Sequence, residues 1–420
     1  MNALTFTIKL LEPMLATGLE GDPNTGISMH YIAGSVLRGA IIKLYQNDRR
    51  KTDKSFEIDS ANDVIRNLFF NGKVCFLNAY PLVKTGQYDE PKRSFPIPFS
   101  WHKEKDQEEK QGKNCYDFAK TSAQEVDPNG EKQFKGLNGR FFAFKDNSGN
   151  NIIKAEIKTR IAVHTQRDVA KGRATKENGA VFRYESVEKG AKFGGVIVSN
   201  EITFLNTIKP LLENVEISIG GSRTGGYGRA RISVNPTIKT NYQETKRWMV
   251  ADIENAEFTV TLLSNALIRD ENGQLQSEFK LENAELIEHK TFKKLELVGG
   301  FNRKWGMTLP QMQSIKAGSI FTFKAISKIE KTTIENWLEN GIGERRLDGF
   351  GRITVKLNTH KDLSFADEAK NEIPQVPLVS PNGLKNAQVI VNRIFKQKLD
   401  TELLANLSDY KAKIDKKNNH

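Results

Sequence analysis

The chain has 420 residues, with 63 lysines and arginines against 51 aspartates and glutamates, and a formal net charge of +12. That length exceeds the usual single domain, so two domains are expected, and the basic balance favours a polyanionic partner. Its two cysteines, Cys75 and Cys115, have no metal-type spacing, which excludes a disulfide framework or a zinc site; with no apolar run of membrane-spanning length, a reduced, soluble, cytoplasmic protein is expected.

Leu4, Phe6, Ile8 and Leu10 alternate with Thr5, Thr7 and Lys9, the period of a half-buried strand. This alternation does not read as a signal peptide, which would need a basic start ahead of a continuous apolar stretch. The segment YIAGSVLRGAI from Tyr31 then opens a helix with the apolar stripe Leu37, Ile41, Leu44 and Tyr45. Ser35 is its N-cap candidate. Arg38 falls in the first turn, where the helix dipole disfavours a cation. Two readings stay open: an anion bound at the helix start beside Gly34 and Ser35, or a neighbouring carboxylate that Arg38 reaches.

A large insertion is expected between about Pro81 and Gly190, where KEKDQEEKQGKN and KDNSGNN read as exposed loops. Near its end, Arg160 to Arg183 reads as a basic hairpin between two strands. It carries Arg160, His164, Arg167, Lys171, Arg173, Lys176 and Arg183 against only Asp168 and Glu177. Such a hairpin suits the backbone of a nucleic acid, with a solvated loop as the bland alternative.

The pattern Ile-Gly-x-x-Arg-x-x-Gly-(Tyr/Phe)-Gly-Arg then occurs twice, from Ile219 to Arg229 and from Ile342 to Arg352, each time running into a β-type segment. Two ungapped copies argue for duplication. Gly220, Gly221, Gly225, Gly226 and Gly228 in the first copy, and Gly349 and Gly351 in the second, allow close backbone approach to a ligand. Arg223, Arg229, Arg345, Arg346 and Arg352 supply permanent charge suited to phosphate. Tyr227 and Phe350 either stack on bases or anchor the loops in the core. A dinucleotide fold or P-loop is excluded, because both need a helix after the glycines and here a strand follows.

FTVTLLSNALI from Phe258 parallels FTIKLLEPMLA from Phe6, and Gly190 and Phe193 match Gly318 and Phe321. Helical stretches, Ile202 to Leu212 and Thr333 to Leu338, precede the two loops. Phe6 lies 220 residues before Gly226, whereas Phe258 lies only 91 before Gly349, so the insertion belongs to the first unit. An α+β chain of two ferredoxin-like (RRM-like βαββαβ) domains is expected, at 1–251 with the insertion and at 252–358. A Pro-bearing connector and a helical tail, 359–420, follow. The tail's apolar stripe of Val391, Ile394, Phe395, Leu399 and Leu403 is expected to pack on the body or on a partner subunit.

The histidines are His30, His102, His164, His289, His360 and His420. No nucleophile and base pair stands out. His30 and His164 lie near arginines and are the candidates for proton transfer in RNA cleavage, with plain hydrogen bonding as the alternative. Asp22 lacks the carboxylate cluster of a metal-dependent nuclease, and neither metal nor other cofactor is expected.

These residues resemble the RAMP superfamily of CRISPR-associated proteins, which share ferredoxin-like domains, a late glycine-rich loop and an IPGSSLRG-type helix start. Here that start is IAGSVLRG, with Ala33 where proline is usual. VFRYESVEKGAKFGGVIV looks like the family's strand after a basic, thumb-like hairpin. VCFLNAYPL and SFPIPFSWHKEK are similar to segments of large two-domain RAMP subunits of type III effectors, and the layout is closest to the group-five-like subunit of type III-D. The resemblance implies a non-catalytic subunit that binds CRISPR RNA at its 5′ repeat-derived handle, meets target RNA only indirectly, and neighbours a large polymerase-like subunit and backbone RAMP subunits in antiviral defence. It also leaves open a CRISPR RNA-processing endonuclease, a backbone or capping subunit, or a scaffold. DPNT at Asp22 resembles a stretch that follows the cleaving aspartate of backbone subunits; the segment that would carry that aspartate is missing, so no cleaving residue is assigned.

Overall fold

The protein is described from a computed structural model, covering residues 1–18, 25–86, 89–166, 180–245, 251–302, 306–369, and 386, 388–400, 402–403 and 406–407. It is a mixed α+β chain, rich in strands and with few helices. Residues 1–369 form one compact unit and residues 370–420 a second. Asp22 and its DPNT stretch, with Arg167, Lys171, Arg173 and Lys176 of the hairpin tip, lie outside the described residues.

The alternation at the start becomes a strand, Asn2–Leu10, with Leu4, Phe6, Ile8 and Leu10 buried. It pairs antiparallel with Lys192–Ser199 on one side and Arg229–Val234 on the other. Val74–Phe76 and Tyr80–Val83 pair in turn with Lys192–Ser199. In chain sequence the strands therefore lie in the order fourth, first, third, second. The helices Gly34–Arg49 and Ile202–Ile208, the latter prolonged by a 3₁₀ turn Lys209–Leu212, close the buried face through Leu37, Ile41, Leu205, Ile208 and Leu212.

A second sheet repeats that order with Ile353–Val355, Glu257–Leu262, Ile320–Ala325 and Ala284–Leu286. Lys331–Asn340 is its helix before the second glycine loop. The first crossover differs: a hairpin, Ile268–Arg269 with Leu275–Gln276, stands where the first repeat has its long helix. Phe279 and Leu281 fill the space such a helix would occupy, with Phe279 packed against Phe321 and Phe323 at ring distances of 4.8 and 5.6 Å.

Between the second and third strands of the first repeat, a seven-stranded sheet has its own core of Ile97, Trp101, Cys115, Phe142, Phe144 and Ile152. One of its inner strands comes from far along the chain. Asp362–Phe365, which the sequence places in the connector, pairs in parallel with Asn151–Ala155 and antiparallel with Asn114–Asp117. The polar stretch after Trp101 is not wholly a solvated loop, because Lys103 and Glu109 are buried as an ion pair at 3.1 Å. Within the second unit, residues 388–400 are helical, and Val391, Ile394, Phe395, Leu399 and Leu403 are exposed on it.

Candidate nucleic-acid interface

The two glycine loops are built from the same hydrogen bonds. The Ile219 and Ile342 N–H groups donate to Gly228 and Gly351 (2.8 and 2.9 Å), whose own N–H groups donate to Pro13 and Asn265 (both 2.8 Å). Each loop turns through a short 3₁₀ element, Arg223–Gly225 or Arg346–Asp348, between two left-handed residues. The final glycine is required by crowding as well as by conformation. Gly228 and Gly351 sit at φ 90° and 69°, and a Cβ would lie 2.1 and 1.8 Å from the Ile219 and Ile342 carbonyl oxygens. These two glycines, with Gly220 against the Leu15 carbonyl and Gly349 against Phe76, thus serve contact within the chain and not ligand approach. Gly226 alone among the loop glycines faces open space; Gly221 and Gly225 make only ordinary contacts.

The copies then diverge. At the position of Gly225 the second loop has Asp348, which is buried and pairs with Arg38 at 2.9 Å and with Arg345 at 3.3 Å. Arg38 also donates to the Phe69 carbonyl, so the carboxylate reading of that arginine is the one realised. Arg345 caps the half-buried ring of Phe350 at 4.6 Å, and Arg346 is exposed, donating weakly to the Asn340 carbonyl at 3.4 Å. Arg352 is 6% exposed and bonds Glu244 at 2.7 Å and the Glu339 carbonyl at 2.8 Å, which removes it from the expected phosphate contacts. Burial alone would raise the pKa of Glu244, but Arg352 and Arg93 outweigh it and hold the carboxyl below its usual range. The second loop is a clasp on the first repeat.

The helix start completes that clasp. Ser35 is not the cap: Ala33 holds the cap position without a side-chain bond, and Asn78 Oδ1 accepts from the Gly34 N–H at 2.9 Å. Gly34 is closely covered, since a Cβ there would fall 1.9 Å from the Phe76 carbonyl oxygen. Asn78 Nδ2 in turn donates to the hydroxyl of Tyr80, which donates to the Leu263 carbonyl of the second repeat. Burial pushes the Tyr80 pKa up to about 12, so the phenol remains a donor at neutral pH. Asn78→Ala is expected to cost about 1–2 kcal/mol in urea denaturation, and Ser35→Ala less than about 0.5 kcal/mol.

The first loop keeps its charge. It contains no carboxylate, and Arg223 and Arg229 are exposed; Arg229 pairs with Glu12 at 3.4 Å. Tyr227 is an anchor, not a stacking platform: it is buried, and its hydroxyl bonds His164 Nε2 at 2.9 Å. His164 belongs to the strand Thr159–Gln166, which pairs with Ala180–Val187 as the expected hairpin. Phe182 and Tyr184 surround His164 at 5.5 and 4.8 Å, and Ser222 meets the Tyr184 hydroxyl at 3.3 Å. Loop and hairpin are thus one body, with Arg160, Arg183, Arg223 and Arg229 exposed on it.

His30 is half-buried, and burial followed by the nearby Arg140 lowers its pKa, against the opposing pull of Glu185. The direction of that shift favours the neutral imidazole. Among the described residues, no three His, Cys, Asp or Glu side chains gather in a metal-holding arrangement, and no helix is long and apolar enough to cross a membrane. The residues that sequence reasoning missed are Asn78, Glu244 and Asp348. Only Asp348 carried a signal, as one of two carboxylates, with Glu344, at positions where the other copy has glycine.

No known family model and no curated protein matches the chain. Among solved structures, a chain of the type III-B Cmr-beta complex bound to cognate target RNA and AMPPnP is similar, with TM-score 0.42 and 13% identity, over 81% of this chain and 90% of that one. A chain of a type IV-B CRISPR complex has TM-score 0.30 and 9% identity over 57% and 93%. Oligomeric Cmr4 from Pyrococcus furiosus has TM-score 0.25 and 10% identity over 57% and 100%.

Proposed function

We propose that this chain is an RNA-binding subunit of the RAMP kind, with two ferredoxin-like repeats. More particularly, it is the group-five-like subunit of a type III effector, of the III-D layout, holding the 5′ handle of CRISPR RNA beside the polymerase-like and backbone subunits. One observation carries the reading: the carboxylate-free first glycine loop and the basic hairpin are joined through Tyr227 and His164 into one surface bearing Arg160, Arg183, Arg223 and Arg229. Cations held on a rigid frame suit phosphates, and 2′-hydroxyl and base contacts would add selectivity for a single-stranded handle.

Arg223→Gln with Arg229→Gln is expected to weaken binding of repeat-containing RNA and to make its salt dependence shallower by about 1.4 in the log–log slope. Unchanged affinity across the salt series would remove the reading. Incubation of the same samples without metal also tests the enzymatic alternative, for which the half-buried His30 is the better base. A discrete cut in the repeat that His30→Ala abolishes would favour the endonuclease.

A further inference from the structure

The duplication provides an internal comparison of the two outer sheet faces. In the first repeat, Lys9 stands directly opposite Lys192 on one side and Arg231 on the other. All three are exposed, one on each of three adjacent strands. In the second repeat the same register places Thr261 opposite Ile320 and Thr354. Equivalent hydrogen bonds, Gly190 N–H to Leu10 and Gly318 N–H to Leu262, both 2.8 Å, confirm the alignment. Those three counterparts are at most 1% exposed.

Openness alone would be served by any polar residues. Like charges directly opposite one another in an antiparallel pair are destabilising, and here two such pairs share Lys9. The compensation is slight: Glu216 pairs with Arg231 at 2.7 Å at the end of the row, and among the described residues neither Lys9 nor Lys192 has an ion-pair partner. Arg231 also lies two residues beyond Arg229, on the same side of its strand, so the row begins at the first glycine loop.

We infer that Arg231, Lys9 and Lys192 form a phosphate-binding row that carries single-stranded RNA from the first glycine loop across the exposed end of the outer sheet face of the first repeat, beyond which Ala3, Val196 and Val198 are covered. The inference rests on the RNA-binding reading above and extends it to residues outside both motifs. A run of phosphates supplies the counter-charge that the row lacks.

The test compares the full chain with Lys9→Gln/Lys192→Gln/Arg231→Gln, and with Lys43→Gln/Lys51→Gln/Lys54→Gln, which removes equal charge from exposed sites on and after the first helix. Binding of a polyuridine probe and of polyglutamate is followed across a salt series, with the melting temperature of each protein. The row variant is expected to lower the log–log salt slope for polyuridine by about 2 relative to the control variant, since each single-strand phosphate contact contributes about 0.7. Its melting temperature is expected to rise as the opposed charges go. Equal loss in both variants would reduce the effect to net charge and overturn the row. Loss confined to polyglutamate would assign it to an acidic polypeptide instead. An unsubstituted chain with no salt-sensitive RNA binding would overturn the reading beneath.

Discussion

Glu244→Ala is expected to destabilise the protein by about 3–5 kcal/mol, the largest effect of any single substitution considered. Glu244 is 4% exposed at its side chain and lies between Arg93 at 2.9 Å and Arg352 at 2.7 Å, themselves 12% and 7% exposed. Removing the carboxylate leaves two largely buried cations unpaired in the joint between the repeats. Arg93 also lies over the ring of Tyr80 at 4.6 Å, so its displacement would disturb the Tyr80 link to Leu263 as well. Denaturation of the wild type and of Glu244→Ala in urea at pH 7 measures the difference. An effect within about 0.5 kcal/mol, the size of an ordinary surface substitution, would contradict the clasp.

The same group sets a pH dependence. A carboxyl whose folded pKa is depressed contributes fully above its unfolded value, here 4.5, and loses that contribution as pH falls through the folded value. The gap in stability between wild type and Glu244→Gln is therefore expected to be complete at pH 7 and to close below about pH 4. A gap that widened on acidification would have the wrong sign.

Ending the chain at Asn358 is expected to open the inserted sheet, whereas ending it at Ala369 should leave that sheet intact. The shorter chain lacks Asp362–Phe365, a strand hydrogen-bonded on both sides. It also lacks Leu363 and Phe365, which are 1% and 3% exposed in the insertion's core. Their burial is worth about 3–6 kcal/mol together. Cys115, fully buried beside them, reports the result. Its thiol should react with a thiol reagent in native 1–358 and stay protected in 1–369. Equal protection in both would show that the sheet stands without this strand.

Much of the local structure was legible in the residues. Alternation marked Asn2–Leu10 and Glu257–Leu262, helical spacing marked Gly34–Arg49, and the repeated glycine pattern marked two loops that prove to share their hydrogen bonds. The hairpin was legible as two strands around a basic stretch. The missing helix of the second repeat was not, because Phe279 and Leu281 replace it by packing and not by any periodic signal. Ser35 looked like a cap because capping is usually local, but Asn78 supplies the acceptor from 44 residues away.

By itself the sequence determined the opening strand of each repeat, the main helices, the repeated loop pattern and the basic character, since burial periods of 2 and 3.6 residues are written into neighbouring positions. Tertiary structure alone decided which cations remain available to a ligand. Arg229 and Arg352 occupy the same place in the same motif, yet Arg352 is taken by a carboxylate 108 residues away while Arg229 stays exposed. The difference arises because an arginine's charge is fixed by its chemistry, whereas its counter-charge is set by whichever distant segment the fold brings beside it.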